Sequence, residues 1–148
     1  MVEMELAYDN LGSRLRRIGP VELTYGTLGI RPQTVGSWEL EYDRLGTRLR
    51  SVGGVAVEYG ALGGNCQALG VWQLEYDFLS DHPHQIGPYD LTYDHLGSRL
   101  RTVGRVELDY GLLGTRPTAV RYPGGTLPDD DLLALYLALY LQEERLRG

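Results

Sequence analysis

Apolar and polar residues alternate in short runs along most of the chain. Trp38-Glu39-Leu40-Glu41-Tyr42 and Val106-Glu107-Leu108-Asp109-Tyr110 put every second side chain on one apolar face, which is the period of a half-buried strand. The runs recur. Tyr8, Tyr25, Tyr42, Tyr59, Tyr76, Tyr93 and Tyr110 are spaced by 17 residues through seven units without an insertion. Two residues before each tyrosine lies Leu6, Leu23, Leu40, Val57, Leu74, Leu91 or Leu108. Three residues after it lies Leu11, Leu28, Leu45, Leu62, Leu79, Leu96 or Leu113. A further row holds Ile18, Val35, Val52, Leu69, Ile86, Val103 and Val120.

Turn residues punctuate each unit twice. Leu-Gly pairs such as Leu11-Gly12, Leu45-Gly46 and Leu96-Gly97 suit a three-residue loop with Gly in the left-handed position. Gly19-Pro20, Gly36-Ser37, Gly53-Gly54 and Gly87-Pro88 suit two-residue hairpin turns. The first loop type predicts Tyr42 opposite Arg48, Leu40 opposite Arg50 and Trp38 opposite Val52. The second predicts Val52 opposite Val55, Arg50 opposite Val57 and Arg48 opposite Tyr59. Both registers put the same residues on one face, with Leu15, Leu49 and Leu100 on the other, acidic face.

The pattern therefore predicts an all-β repeat protein, with seven 17-residue two-strand units in a long, curved antiparallel meander of up to fourteen strands. A β-solenoid is the alternative, disfavoured because stacked coils would ladder Glu5, Glu22 and Glu39 about 5 Å apart. Residues 1–122 form the repeat domain. Residues 123–148 form a linker and one apolar C-terminal helix packed on the repeat domain or on a partner. Pro128-Asp129-Asp130-Asp131 opens that helix with acids, Asp129 as its N-cap, and Arg145 and Arg147 close it, complementing the helix dipole. Leu132, Leu135, Tyr136 and Leu139 line one side and Leu133, Leu137, Tyr140 and Leu141 another, so the helix must be covered on more than one side.

Composition narrows the function classes. The net charge of -6 disfavours a grip on nucleic-acid phosphates. The chain has no Lys, so its fixed positive charges are arginines, which stack on aromatic rings and fork onto carboxylates. A lone Cys66 allows neither an intrachain disulfide nor a multi-cysteine metal cage. The N-terminus does not read as a secretory signal, and the apolar run from Leu132 to Leu141 is about half of the ~20 residues a membrane span needs. A cytoplasmic protein with no membrane span is expected.

Tyr8-Asp9-Asn10-Leu11-Gly12-Ser13-Arg14-Leu15, Tyr42-Asp43-Arg44-Leu45-Gly46-Thr47-Arg48-Leu49 and Tyr93-Asp94-His95-Leu96-Gly97-Ser98-Arg99-Leu100 resemble the YD repeat of RHS-type bacterial proteins. The resemblance implies strand repetition used as a shell or scaffold, and it carries over no functional residues. Units two, four and seven have Gly26, Gly60 and Gly111 in place of the Asp.

Two places could carry function. Tyr8, Arg14, Tyr25, Arg31, Tyr42, Arg48, Tyr59, Tyr93, Arg99, Tyr110 and Arg116 would present rings beside guanidinium groups, a binding surface for an extended or planar partner. The irregular fifth unit, Tyr76-Asp77-Phe78-Leu79-Ser80-Asp81-His82-Pro83-His84, replaces both arginines by histidine. His82 and His84, with Cys66 one repeat away from Pro83, are the candidate ligands for zinc or nickel. No order of residues points to catalysis, and no cofactor is expected. The chain reads as a non-enzymatic structural or protein-interaction module that self-associates or recruits another protein through its repeat surface and the helix residues Leu133, Leu137, Tyr140 and Leu141. The alternative is a small-ligand or transition-metal-binding protein using the fifth unit.

Overall fold

A computed structural model of the chain describes residues 2–9, 14–27, 29–46, 48–61, 64–78, 80–94, 99–112 and 114–147. Parts of the quoted Tyr-Asp segments (10–13, 47 and 95–98), and the row members Leu28, Leu62, Leu79 and Leu113, lie outside these residues. The strands are β1 (Val2–Tyr8), β2 (Leu15–Ile18), β3 (Val21–Tyr25), β4 (Pro32–Val35), β5 (Trp38–Tyr42), β6 (Leu49–Val52), β7 (Val55–Tyr59), β8 (Cys66–Leu69), β9 (Trp72–Tyr76), β10 (Pro83–Ile86), β11 (Tyr89–Tyr93), β12 (Leu100–Val103), β13 (Val106–Tyr110) and β14 (Pro117–Tyr122). One helix, α1 (Asp129–Arg147), follows.

Each strand pairs antiparallel with its chain neighbours, and β14 returns to β1, so the sheet closes into a single fourteen-stranded barrel. The seam is a regular ladder in which Val2, Glu3, Met4 and Glu5 face Tyr122, Arg121, Val120 and Ala119. This seam overturns both the open meander and the solenoid. It also overturns the likeness to YD repeats as a guide to architecture: the units repeat in sequence, but they are staves of one closed wall and not an open array. Closure removes the sheet edges that an interaction scaffold would offer for strand addition.

Why the sheet closes can be read from its register. At each two-residue turn the pairing carries the wall inward-facing residue by residue: Leu40 faces Val52, and Val52 faces Val55, two positions before Val57. The same offset recurs at the seam, where Leu108 faces Val120 and Val120 faces Met4, two positions before Leu6. Seven offsets of two residues give a shear of fourteen on fourteen strands. With strands rising about 3.3 Å per residue and lying about 4.8 Å apart, that combination sets a tilt of about 35° and a wall radius of about 13 Å. The turn glycines make the sharp corners possible. Gly53 has φ 56°, and a Cβ there would lie 2.8 Å from Trp38 Cδ1.

The expected register at these turns holds, with Val52 opposite Val55. The other loop differs. Asp43 N–H donates to the Arg48 carbonyl at 2.9 Å, so four residues and not three separate the pair. The ladder then reads Tyr42 opposite Leu49, Glu41 opposite Ser51 and Leu40 opposite Val52, with a bulge beside Tyr42. The longer loop flips the start of β6 to the other face, and the bulge restores phase two residues later. Leu49 and Leu100 therefore point inward, 0% and 1% exposed, where a bulge-free reading had them in the acidic outer row. Pro32, Cys66, Pro83 and Pro117 hold the equivalent inward position in other units and are buried.

The outer face is polar. Thr24 pairs with Thr34 and Thr92 with Thr102, each hydroxyl pair at 2.6 Å, and Arg121 reaches both Glu107 and Asp109 at 3.1 Å. Strands of four to seven residues with charged outer rows are unlike the ~9–11-residue strands and apolar band of a lipid-embedded barrel. No helix among the described residues is long and apolar enough to cross a membrane.

The helix fills the lumen. Every residue from Leu132 to Tyr140 is buried, on all sides of α1, which a single sheet face cannot achieve but a surrounding wall can. The helix starts one residue earlier than a cap at Asp129 would allow, since Leu132 N–H already donates to the Pro128 carbonyl at 2.9 Å. Leu133, Leu137 and Tyr140 are 9%, 0% and 7% exposed, so the helix faces expected to meet a partner are inside the wall. Leu141 packs partly buried against the same core. Together with closure, this overturns the reading of the chain as an interaction module working through an open repeat sheet and a free helix.

Candidate functional site

The tyrosine row forms a ring at one end of the barrel. Tyr25, Tyr42, Tyr59, Tyr76, Tyr93 and Tyr110 each donate a hydroxyl hydrogen bond, at 2.6–2.8 Å, to the carbonyl of the residue ten positions back: Leu15, Pro32, Leu49, Cys66, Pro83 and Leu100. Tyr8 donates to the Pro117 carbonyl at 2.7 Å, which is the same step carried across the seam. These bonds fall where successive hairpins splay apart, beyond two ladder pairs within the wall and beyond four at the seam, so each hydroxyl replaces a missing backbone donor. Burial pushes the phenols of Tyr8, Tyr42, Tyr59, Tyr76, Tyr93 and Tyr110 above their ordinary range, Tyr93 to about 12.

The arginines divide into two kinds, and the residue after each tyrosine decides which. In Tyr-Asp units the arginine is held by its own unit. Arg14 Nε is 2.8 Å from Asp9 and Arg99 Nε 2.9 Å from Asp94. Arg14, Arg48 and Arg99 also lie over the rings of Tyr25, Tyr59 and Tyr110, 4.5, 4.1 and 4.6 Å from the centroids, and donate to the carbonyls of Gly29, Gly64 and Gly114 in the next loop. In Tyr-Gly units the carboxylate after the tyrosine is missing. Arg31, after Gly26, reaches Glu144 at 2.9 Å, and Arg116, after Gly111, reaches Glu143 at 2.5 Å. Burial works against the charge on Arg31, but the Glu144 carboxylate outweighs it and raises its pKa. Unit four, with Gly60, carries Asn65 at the arginine position.

Three further bonds set the rotation of α1. The Gln142 side-chain oxygen accepts from Leu100 N–H at 2.7 Å while its amide donates to Tyr110 Oη at 3.0 Å, and Tyr140 Oη accepts from Leu49 N–H at 3.0 Å. The backbone amides at Leu49 and Leu100 would otherwise be buried without partners. Sequence reading assigned none of Gln142, Glu143, Glu144 and Tyr136 to a site. A signal was present: two arginines whose units have Gly in place of the Asp after the tyrosine match two glutamates at the helix end.

A wall radius of about 13 Å exceeds the roughly 10 Å at which a helix packs on a sheet, so the lumen has slack of a few ångströms. The helix takes it up by leaning on β12. A cleft opens on the β1–β4 side, with a volume of ≈ 60 Å³, between Leu15, Leu23, Ile30 and Pro32 of the wall and Tyr136, Leu139 and Tyr140 of α1. Tyr8 and Tyr25 border it, and Arg14, Arg31, Gln142 and Glu143 are its polar members. Most of their hydrogen-bonding groups are engaged. Arg31 Nε is buried without a hydrogen-bond partner among the described residues. Larger grooves of 330–500 Å³ lie at the splayed hairpin junctions, but they are shallow and open outward.

The fifth unit does not gather a metal site. His82 takes the place of the stacking arginine: its ring meets Tyr93 edge-on at 4.2 Å, and its Nδ1 is 3.1 Å from both Ser80 Oγ and Asp81 Oδ1. Serine and aspartate on the same ring nitrogen cannot form a relay through the imidazole. His84 lies across the wall, half exposed, 3.3 Å from Asp77 without an aligned hydrogen bond. Cys66 is buried, and burial pushes its thiol up to about 11, away from the thiolate a metal needs. No group of three metal-ligating side chains occurs among the described residues. Comparison of the chain with known protein families, characterised proteins and solved structures finds no match, so the geometry alone carries the functional argument.

Proposed function

We propose that the protein is a small-ligand-binding barrel and that its site is the cleft between α1 and β1–β4, not the fifth unit. The observation that carries this reading is a cleft walled mainly by tyrosine rings and aliphatic side chains, with the Arg31 guanidinium among its few polar members. Apolar walls with a small number of placed polar groups are the usual form of a small-molecule site. A volume of ≈ 60 Å³ is far below the ~300 Å³ of drug-sized pockets. The cleft accordingly encloses only part of a small, flat, largely apolar molecule with one hydrogen-bond acceptor, such as a simple aromatic carboxylate, whose remainder lies in the open mouth beside the exposed Ile30. The reading assigns the chain binding and no chemical step.

Thermal unfolding with millimolar benzoate or indole tests it. Benzoate, whose carboxylate answers Arg31, raises the melting temperature more than indole, and Arg31→Met removes the difference. No shift with either compound, together with unchanged amide NMR signals for Ile30 and Leu139, would refute it.

A further inference from the structure

We infer that the tyrosine end of the barrel seats on the surface of a phospholipid bilayer. Leu45, Phe78 and Leu112 are 84%, 92% and 97% exposed, and each stands on a different loop at this end. Ile30 and Leu146 add to the same rim. Among the described residues the opposite rim has only Val71 and the partly exposed Val2. Exposed apolar side chains scattered one by one are ordinary, but five gathered at one end of a barrel are not. Leu45 also belongs to a position that the sequence fills with Leu in all seven units, so an apolar residue here is a property of the repeat and not an accident of one loop.

Charge is distributed to match. The loops at this end and the helix from Glu143 onward hold eight arginines and seven acids, while the remaining six arginines face thirteen acids on the wall and the far end. Most acids at the tyrosine end are neutralised in place, Asp9 and Asp94 by Arg14 and Arg99, Glu143 and Glu144 by Arg116 and Arg31. Asp77 and Asp81 are the exposed exceptions, and each lies beside a histidine. The whole net negative charge therefore sits away from this face. Arg44, exposed next to Leu45, can extend its stem along the apolar tips and set its head at phosphate depth.

A bilayer fits these tips better than a folded partner does. They are separated by polar loop residues around a mouth about 25 Å across, so they form no contiguous patch for a shaped surface to match. A fluid apolar layer needs no match, only a ring of side chains that can each dip below the headgroups.

Sedimentation of the full chain with phosphatidylcholine vesicles is the test, alongside a Leu45→Asp/Phe78→Asp/Leu112→Asp variant whose unchanged melting temperature shows that it is folded. The wild type is expected to bind vesicles, and the variant to bind about tenfold less or weaker. A Phe78→Trp variant gives orientation: its fluorescence is quenched by brominated lipid, whereas the wild-type Trp38 and Trp72, at the other end of the barrel, are not. No vesicle binding by the wild type, equal binding by the triple variant, or quenching of the wild-type tryptophans each overturns the inference. So does a concentration-dependent doubling of mass without lipid that the triple variant abolishes, which would assign the rim to a second copy of the chain.

Discussion

Replacing Gln142 by Leu removes one buried amide and leaves volume nearly unchanged, which isolates what the helix contributes to the wall by hydrogen bonding. Gln142 is 4% exposed and Leu100 1%, so water cannot take over the lost partner. The Leu100 N–H, now unsatisfied, costs about 1–3 kcal/mol, and the lost donor to Tyr110 about 1 kcal/mol more. A total of about 2–4 kcal/mol in a chain of this size lowers the melting temperature by roughly 5–12 °C. Circular dichroism melts of the wild type, Gln142→Leu, Tyr110→Phe and the double variant give the coupling between the two side chains directly. The expected coupling is about 0.5–1.5 kcal/mol. A Gln142→Leu melting point within about 2 °C of wild type would mean that α1 does not serve the Leu100 amide, and that its rotation in the lumen differs from the one described.

Closure is tested by comparing Tyr8→Phe with Tyr59→Phe: both should cost about 1 kcal/mol in denaturant unfolding, and a silent Tyr8 would mean that the seam is open. For Arg31 and Glu144, 20% and 25% exposed, a double-mutant cycle should give about 0.5–1 kcal/mol after solvent screening, shrinking in high salt; a coupling of zero would remove the pair as a helix latch. The buried phenols favour their neutral form, so their contribution to stability is intact below the ordinary tyrosine pKa of about 10 and is lost as pH rises through it and toward the raised folded values. Tyrosinate absorbance should therefore appear together with unfolding, and a gradual titration without loss of structure would contradict the ring. Cys66 should resist thiol reagents until denaturant is added, and prompt labelling of the native chain would show that its wall position is open.

Much of the wall was legible in the sequence because its cause is local. Alternation from Trp38 to Tyr42 and the Gly-Gly turn at Gly53 fix neighbouring strands without reference to anything distant. What the sequence hid follows from two causes. A single added loop residue between Asp43 and Arg48, compensated by a bulge, turns Leu49 inward, and no local pattern announces a bulge. Closure depends on a global sum of small register offsets, which appears only when the seventh unit meets the first. The apolar circumference of α1 did indicate a surround, since nine successive buried residues need a wall on every side. The cleft was the least legible feature. It arises from the difference between a wall radius and a helix-packing distance, and Ile30, Tyr136 and Leu139 carry no sequence mark of it.

The seam between β1 and β14 also has a consequence for how the chain reaches its folded state. Every other ladder joins segments next to each other in sequence and can form early by short loop closures. The seam joins the two ends of the wall, and it cannot shut before α1, which follows the wall in the chain, has entered the lumen. A nearly complete sheet must therefore wait as an open trough with its apolar face wet until α1 arrives. Elongation that pauses before Leu132 would hold the chain in that state, the stage at which it is most exposed to aggregation.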